Sequence, residues 1–115
     1  PTMNCLFCKI ASGEIATQLV HEDDEIVAFN DINPQAPQHI LLIPRRHITT
    51  LNDLEADDTL LMGRMIQTAT QLAKRLGFAD TGFRTLFNCN QQGGQSVYHI
   101  HLHLLAGRQM RWPPG

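Results

Sequence analysis

The stretch VYHIHLHLL, residues 97–105, constrains the fold of this chain more than any other, because polar and apolar side chains alternate along it. An alternation of period two is typical of a β-strand whose two faces meet different surroundings. The intervening polar side chains include three imidazoles, those of His99, His101 and His103. The sequence therefore predicts a strand that covers a hydrophobic core with one face and carries three histidines on the other.

Three aligned histidines have two functional interpretations, which their spacing alone leaves open. A single strand histidine is ordinarily a packed, hydrogen-bonded side chain, but three on one face would each need a separate buried partner. The imidazoles either bind a metal ion or supply a nucleophile for attack on phosphorus. Just before them, Gly93 and Gly94 predict a turn whose N–H groups bind a phosphate, and Ser96 adds a hydroxyl. His39 opens another strand and is expected to bring a fourth imidazole to the same face.

Two helices are predicted from the spacing of apolar residues. Residues 4–13 form a short helix, and residues 54–76 form a long one that ends at Gly77. Asn52 and Glu55 predict a capping box just before the long helix. The residues expected to form its core-facing stripe are Leu61, Met62, Met65, Ile66, Thr68, Ala69, Leu72, Ala73 and Leu76.

Five strands are predicted around these helices. Two lie within residues 18–31, and one each lies within residues 39–47, 82–90 and 97–105. Strands and helices do not alternate regularly, which argues against parallel strands joined by crossover helices. The sequence therefore predicts an α+β fold with a five-stranded antiparallel sheet, one long helix and one short helix, in a single domain over residues 1–115.

The composition excludes several functional classes. The chain has 115 residues, of which 43% are apolar and 17% charged, as is usual for a globular domain with a buried core. Its net charge of −2 gives no field that would attract nucleic acid, and no apolar stretch approaches the roughly 20 residues of a membrane span. Three cysteines, an odd number, argue against a disulfide framework and predict a reducing, cytoplasmic setting.

Three segments of the chain resemble the histidine triad (HIT) superfamily. HIHLHLL, residues 99–105, matches its signature of alternating histidine and apolar residues. GGQSVYHIHLHLLAGRQMRWPPG, residues 93–115, and AFNDINPQAPQHILLIPRRH, residues 28–47, resemble the Hint branch of nucleotide-binding proteins. The resemblance implies a homodimer in which two sheets join into one of ten strands. It also implies a hydrolase for nucleoside phosphoramidates such as AMP linked to an amine, with aminoacyl adenylates as further substrates.

The resemblance also implies a role for individual residues. His101 would be the nucleophile that forms a covalent nucleotidyl-imidazole, with His39, His99 and His103 supporting it and the phosphate, and Ser96 bonding to the leaving group. The residues implied to bind the purine nucleoside monophosphate or phosphoramidate are Phe7, Ile10, Ile15, Phe29 and Ile32 at the base, Asp31 at the ribose, and Asn88 and Gly94 beside the phosphate, with Ser96, His101 and His103. No cofactor is needed for this chemistry.

Cys5 and Cys8 add the expectation of a structural metal. Their spacing places both thiols on one face of a helix, although a structural zinc needs about four ligands. The resemblance to some bacterial HIT proteins supplies His47 and His99 as the other two. Two alternatives to the phosphoramidase stay open at this point: a metal-dependent nucleotide hydrolase whose three aligned histidines hold a catalytic ion, and a non-enzymatic nucleotide-sensing dimer.

Overall fold

Five antiparallel strands form one sheet in the computed structural model, which describes residues 4–115. The strands are β1 (Leu19–Glu22), β2 (Ile26–Asn30), β3 (Gln38–Pro44), β4 (Arg84–Leu86) and β5 (Leu102–Ala106). Their order across the sheet is β1-β2-β3-β5-β4. The α-helices are α1 (Leu6–Ala11), α2 (Thr59–Leu76) and α3 (Asn90–Gly93). The predicted antiparallel α+β fold is confirmed, with one short helix more than expected.

The long helix begins later than predicted. It starts at Thr59 rather than at residue 54, because two single 3-10 turns precede it. The predicted capping box of Asn52 with Glu55 is wrong. The reciprocal pairs that form are Thr50 with Asp53 and Glu55 with Asp58. The predicted end at Gly77 is confirmed: this residue has a φ of +91° and its N–H donates to carbonyls of the last turn.

One face of the sheet packs against α2. The apolar residues that alternate with the three histidines are almost completely buried there: Ile100, Leu102 and Leu104. Met65 and Leu72 pack on them from the helix. The predicted stripe was too wide, because Ile66 and Leu76 flank it on the solvent side and are 51% and 45% exposed. No helix within residues 4–115 is long and apolar enough to cross a membrane.

Helix α1 covers part of the opposite face of the sheet. Phe7, Cys8 and Ile10 are buried against Phe29 of β2 and Leu41 of β3. Because α1 has only six residues, it does not extend over the whole face. Beside α1, on the same face of the sheet, lie the side chains that point away from α2.

The two strands predicted within residues 82–90 and 97–105 are shorter in the structure. Residues 97–105 were expected to be one strand, but pairing with β3 begins only at Leu102. Before that point the Ile100 N–H donates to the carbonyl of Ile48 at 2.8 Å. Likewise only the three residues of β4 form a strand within residues 82–90. The chain then enters α3, where a simple Gly93–Gly94 turn was expected.

The C-terminal segment turns at Gly107 and packs against the loop between β2 and β3. Gly107 has a φ of +95°, and a Cβ atom there would lie 2.7 Å from Cβ of Pro37.

Gly107→Ala is therefore expected to lower the free energy of unfolding by about 2–4 kcal/mol, from backbone strain and overpacking together. Gly82→Ala is the matched control, because Gly82 also has a positive φ but has open space around it. Equal losses in the two variants, measured by urea unfolding, would contradict the packing account.

Candidate active site

A cavity of about 440 Å³ lies between α1, the end of β2 and the segment that leads into β5. The predicted site residues that line it are Phe7, Ile10, Ile15, Phe29, Asp31, Ile32, Ser96, His101 and His103. The lining residues that were not predicted are Leu6, Thr17, Asn30, Leu41 and Val97. Most of these side chains are apolar, with a few polar groups among them, which is typical of a pocket for a small organic ligand.

The apolar part of the cavity is built around two phenyl rings. Phe7 and Phe29 pack edge to face with their centroids 5.6 Å apart. The ring of Phe7 also lies 5.1 Å from that of His101, so helix α1 joins the apolar wall to the histidines. Ile32 lies at the rim, where its side chain is fully exposed.

His101 has a fixed orientation and a fixed tautomer. Its Nδ1 lies 2.9 Å from the carbonyl oxygen of His99, and a carbonyl can only accept a hydrogen bond. Nδ1 therefore carries the proton, and Nε2 is left with its lone pair. Burial lowers the pKa of His101, so the imidazole is neutral at pH 7 and Nε2 is available as a nucleophile.

His39 and His103 are brought together by neighbouring strands. His39 of β3 and His103 of β5 lie 2.9 Å apart, Nε2 to Nδ1, and Oδ2 of Asp31 lies 3.5 Å from the same His39 nitrogen. The expected meeting of a fourth imidazole with the row is confirmed, although His39 itself does not line the cavity. Asp31 Oδ1 accepts from the N–H of Asn33 at 2.8 Å, which fixes the carboxylate beside the cavity.

His103 presents a buried polar atom without a partner. Burial, followed by the nearby His101 and His39, lowers the pKa of His103 to about 4, which keeps the ring neutral. Within residues 4–115 its Nε2 has no hydrogen-bond partner, and its ring centroid lies 4.9 Å from that of His101. Buried polar groups are normally paired, so this nitrogen is a group on which a ligand oxygen would bind.

The loop before the histidines differs from the expected phosphate turn. The N–H of Gly94 donates to the carbonyl of Gln91 at 3.0 Å at the end of α3, and Gly94 and Asn88 do not line the cavity. Ser96 does line it, is exposed, and has no hydrogen-bond partner in the described part of the chain. Of the predicted residues in this loop, Ser96 is therefore the one with a group free to meet a ligand.

Gln95 is a buried residue of this loop that the sequence did not reveal. Its side-chain oxygen accepts from the N–H of Asn90 at 2.9 Å, and its amide nitrogen donates to the carbonyls of Thr49 and Val97 at 2.8 and 3.1 Å. These bonds fix the backbone on both sides of Ser96. A glutamine in a glycine-rich loop is normally exposed, so no sequence signal distinguished it.

The four predicted metal ligands come together behind the histidine row. One ligand atom from each of Cys5, Cys8, His47 and His99 lies within 4.8 Å of the others. His99 Nε2 lies 2.7 Å from the carbonyl oxygen of Pro44, so Nε2 carries the proton and Nδ1 turns its lone pair toward the thiols. Two thiols and two imidazoles in one cluster match the ligand set of a tetrahedral structural zinc.

The geometry does not favour one catalytic ion held by the three aligned histidines. Within residues 4–115, the second group of potential ligand atoms within 4.8 Å of one another is Asp31, His39 and His103. His99 and His103 thus belong to different groups, and His101 belongs to neither. The three imidazoles share one side of the chain but do not point at one place.

The chain is similar to several known proteins. The family profile described as "Scavenger mRNA decapping enzyme C-term binding" matches residues 4–112. A HIT family hydrolase from Legionella pneumophila Philadelphia 1 has a crystal structure that superimposes with a TM-score of 0.95 and 57% identity, over 97% of this chain and 100% of that one. A "Purine nucleoside phosphoramidase" of Escherichia coli (strain K12) is 49% identical over 105 residues, which cover 91% of this chain and 88% of that protein.

The chain is a histidine triad protein of the Hint type. A second relative of this histidine triad protein is a "14 kDa zinc-binding protein" of Brassica juncea. It is 52% identical over 112 residues, which cover 96% of this chain and 98% of that protein. The resemblance predicted from the three sequence segments is confirmed.

Proposed function

We propose that this protein hydrolyses the P–N bond of purine nucleoside phosphoramidates through a covalent nucleotidyl-histidine. One observation carries the proposal: the Nε2 lone pair of a neutral His101, fixed by the His99 carbonyl, stands at a largely apolar cavity of about 440 Å³. A nucleophile next to a pocket that accepts an aromatic base is what transfer of a nucleotidyl group requires. The name of the Escherichia coli relative, a purine nucleoside phosphoramidase, supports the same substrate class.

The pocket residues suit the parts of a nucleoside phosphoramidate. The base packs between apolar side chains that include Phe7 and Phe29, whose rings offer an edge and a face for stacking. The carboxylate of Asp31 accepts hydrogen bonds from the ribose hydroxyls. The Nε2 proton of His103 is donated to a phosphoryl oxygen, on which negative charge grows in the transition state.

The reaction takes place in two displacements. His101 Nε2 attacks phosphorus and the P–N bond of the substrate breaks. The leaving nitrogen takes up a proton from solvent and departs as the free amine, and a nucleotidyl-imidazole remains. The Nδ1 proton stays on the ring, where the carbonyl of His99 stabilises the positive charge of the imidazolium. Water then attacks phosphorus and gives up a proton to solvent, the bond between phosphorus and His101 Nε2 breaks, and a nucleoside monophosphate is released. Two steps replace direct attack by water, which is a poorer nucleophile.

The test is hydrolysis of an adenosine phosphoramidate by the intact protein, with release of AMP and amine measured in the presence of a chelator. Turnover that survives the chelator supports nucleophilic catalysis by histidine. Turnover that the chelator abolishes while the protein stays folded would favour the metal-dependent hydrolase. Tight binding of AMP without any turnover would favour the nucleotide-sensing dimer.

Ser96 is proposed to bond to the leaving nitrogen. Ser96→Ala is expected to lower kcat/KM by about tenfold, because one hydrogen bond formed to the departing amine is lost. The loss should shrink for a weakly basic aniline, which leaves with less need for stabilisation. Ser12→Ala is the control, since the Ser12 hydroxyl is bonded to the Lys9 carbonyl at the end of α1. An equal loss of kcat/KM for a substrate with a basic amine and for one with aniline would contradict the role of Ser96 at the leaving nitrogen.

The cluster of Cys5, Cys8, His47 and His99 is proposed to hold one structural zinc ion. Bound there, zinc would tie α1, which carries Phe7 and Ile10 of the pocket wall, to the chain before β5. Both displacements of the proposed reaction take place at His101, which is not one of these four residues. The role proposed for the zinc is therefore structural. The name of the Brassica juncea relative, a zinc-binding protein, supports a zinc site.

The protein is further proposed to be a cytoplasmic homodimer in which the two sheets join. Strand β4 lies at one edge of the sheet, and α2 exposes Leu60 and Ile66, which are 69% and 51% exposed. An open strand edge and exposed apolar side chains are each features that a second copy would cover. Sedimentation equilibrium tests the state, and a monomer at micromolar concentration would contradict it.

A further inference from the structure

The tautomer of His39 is set from outside the histidine row. The backbone N–H of Gln35, in the loop between β2 and β3, donates to His39 Nδ1 at 3.0 Å. A backbone N–H can only donate, so Nδ1 must offer a lone pair. The one proton of the neutral imidazole is therefore on Nε2, the atom that faces His103.

The tautomer of His39 in turn sets the tautomer of His103. The Nε2 proton of His39 is directed at Nδ1 of His103, which lies 2.9 Å away and must accept it. The proton of neutral His103 is consequently on its own Nε2, the buried nitrogen without a partner in the described chain. If Gln35 moved away, His39 could carry its proton on Nδ1, and His103 would then be free to present a lone pair to the substrate instead of a proton.

Arg108 is hydrogen-bonded to Gln35, the residue whose N–H sets the tautomers of His39 and His103. Its Nε donates to the carbonyl of Gln35 at 3.0 Å, so the carbonyl of Gln35 binds Arg108 while its N–H binds His39. The neighbouring Gly107 is in close contact with Pro37 of the same loop. Arg108 is exposed and does not line the cavity, so its contact with the active site runs through the loop.

We infer that Arg108 is a positioning residue: by holding Gln35 against His39, it keeps His39 and His103 in the tautomers that leave a proton on Nε2 of His103. The effect on turnover rests on the proposed phosphoramidase function. The tautomers themselves are a property of the free protein and are measured without any substrate.

The test compares imidazole nitrogen chemical shifts, measured by NMR, in the wild type and Arg108→Ala. In the wild type, Nδ1 of both His39 and His103 should be unprotonated, and Arg108→Ala should shift both toward a mixture of tautomers. Its kcat/KM for an adenosine phosphoramidate should fall by about three- to tenfold, as expected for an exposed hydrogen bond, with most of the change in kcat. Arg108→Lys keeps a charged donor and should recover part of both signals.

Arg111→Ala is the matched control. It removes an arginine from the same segment, but the bond to the Gln35 carbonyl is made by Arg108 and not by Arg111. Unchanged nitrogen shifts in Arg108→Ala would overturn the inference, whether or not turnover falls. A loss of turnover with unchanged tautomers would mean that Arg108 acts on the substrate or on stability instead. If the wild type has no turnover, the proposed function fails, and the nitrogen shifts still decide whether Arg108 sets the tautomers.

A second pair of variants tests the backbone donor directly. Gln35→Pro removes the N–H, whereas Gln35→Ala keeps it and removes only the side-chain bond to the Asn33 carbonyl. A tautomer change in Gln35→Pro but not in Gln35→Ala supports the inference. Equal shifts in both would contradict it. If Gln35→Pro does not fold, the comparison of Arg108→Ala with Arg111→Ala decides.

Discussion

Replacing His101 with alanine is expected to lower kcat/KM for an adenosine phosphoramidate by at least about 10⁴-fold, the scale on which loss of a nucleophile acts. The atom removed is Nε2, the ring nitrogen that offers its lone pair to the cavity, since Nδ1 of the same ring is bonded to the His99 carbonyl at 2.9 Å. The His39 and His103 rings cannot replace it, because His39 does not line the cavity and Nε2 of His103 carries a proton.

The control for this variant is His21→Ala, which removes a half-buried imidazole of β1 that is bonded to Asp23 and does not line the cavity. It should keep full activity. His101→Gly provides a further check, because added imidazole can occupy the space left and restore part of the turnover. A His101→Ala protein that binds AMP as well as the wild type and retains more than about a hundredth of its activity would contradict nucleophilic catalysis by this residue.

Removing the two thiols of the proposed zinc site is expected to have the largest effect on stability. Cys5→Ser combined with Cys8→Ser should abolish zinc binding and lower Tm by about 10 °C or more, since a structural zinc contributes several kcal/mol to folding. The reason is local: α1 has only six residues and depends on the cluster and on its apolar contacts to stay on the sheet. Zinc content per chain and thermal unfolding with and without chelator measure the effect.

Cys89→Ser is the matched control, because Cys89 is a free thiol that belongs to neither group of ligand atoms. It should keep one zinc per chain and an unchanged Tm. A chelator should lower the Tm of the wild type and of Cys89→Ser but not that of the double variant. Absence of zinc from the purified wild type, after reconstitution with excess metal, would contradict the site.

The alternation in residues 97–105 was enough to predict which side chains face the core and which face the site. Ile100 lies in the α2 core, and His101 faces the cavity, although the chain there is not yet part of β5. Sidedness follows from extended backbone geometry and does not require ladder hydrogen bonds. The meeting of His39 with His103 was likewise predictable, because two strands of one antiparallel sheet present side chains to a shared face.

Other features left no trace in the residue types. The N–H of Gln35 is the same chemical group as in almost every residue, so only the folded loop reveals that it fixes His39. Gln95 is buried because three backbone groups surround its amide, which a loop sequence does not indicate. The helix start was misplaced because the capping residues before it begin two 3-10 turns, at Thr50 and Glu55, and the long helix follows only at Thr59.

The role of Gly94 was the least predictable part of the site. A pair of glycines before a histidine row suits a phosphate turn, but the residues before it form α3, whose end uses the Gly94 N–H. A four-residue helix is too short to have a clear apolar period, so sequence patterns cannot distinguish it from a turn. The proposed contact to a phosphoryl oxygen therefore comes from His103, and the contact to the leaving nitrogen from Ser96, both of which line the cavity.

The most direct measurement is the mass of the protein quenched within milliseconds of mixing with an adenosine phosphoramidate, in the presence of chelator. The account predicts an adduct equal in mass to one adenylyl group, located by peptide mapping on His101, which forms and decays at rates consistent with turnover. His101→Ala should form none. An adduct on another residue, or turnover that passes through no adduct and inverts the configuration at phosphorus, would contradict it.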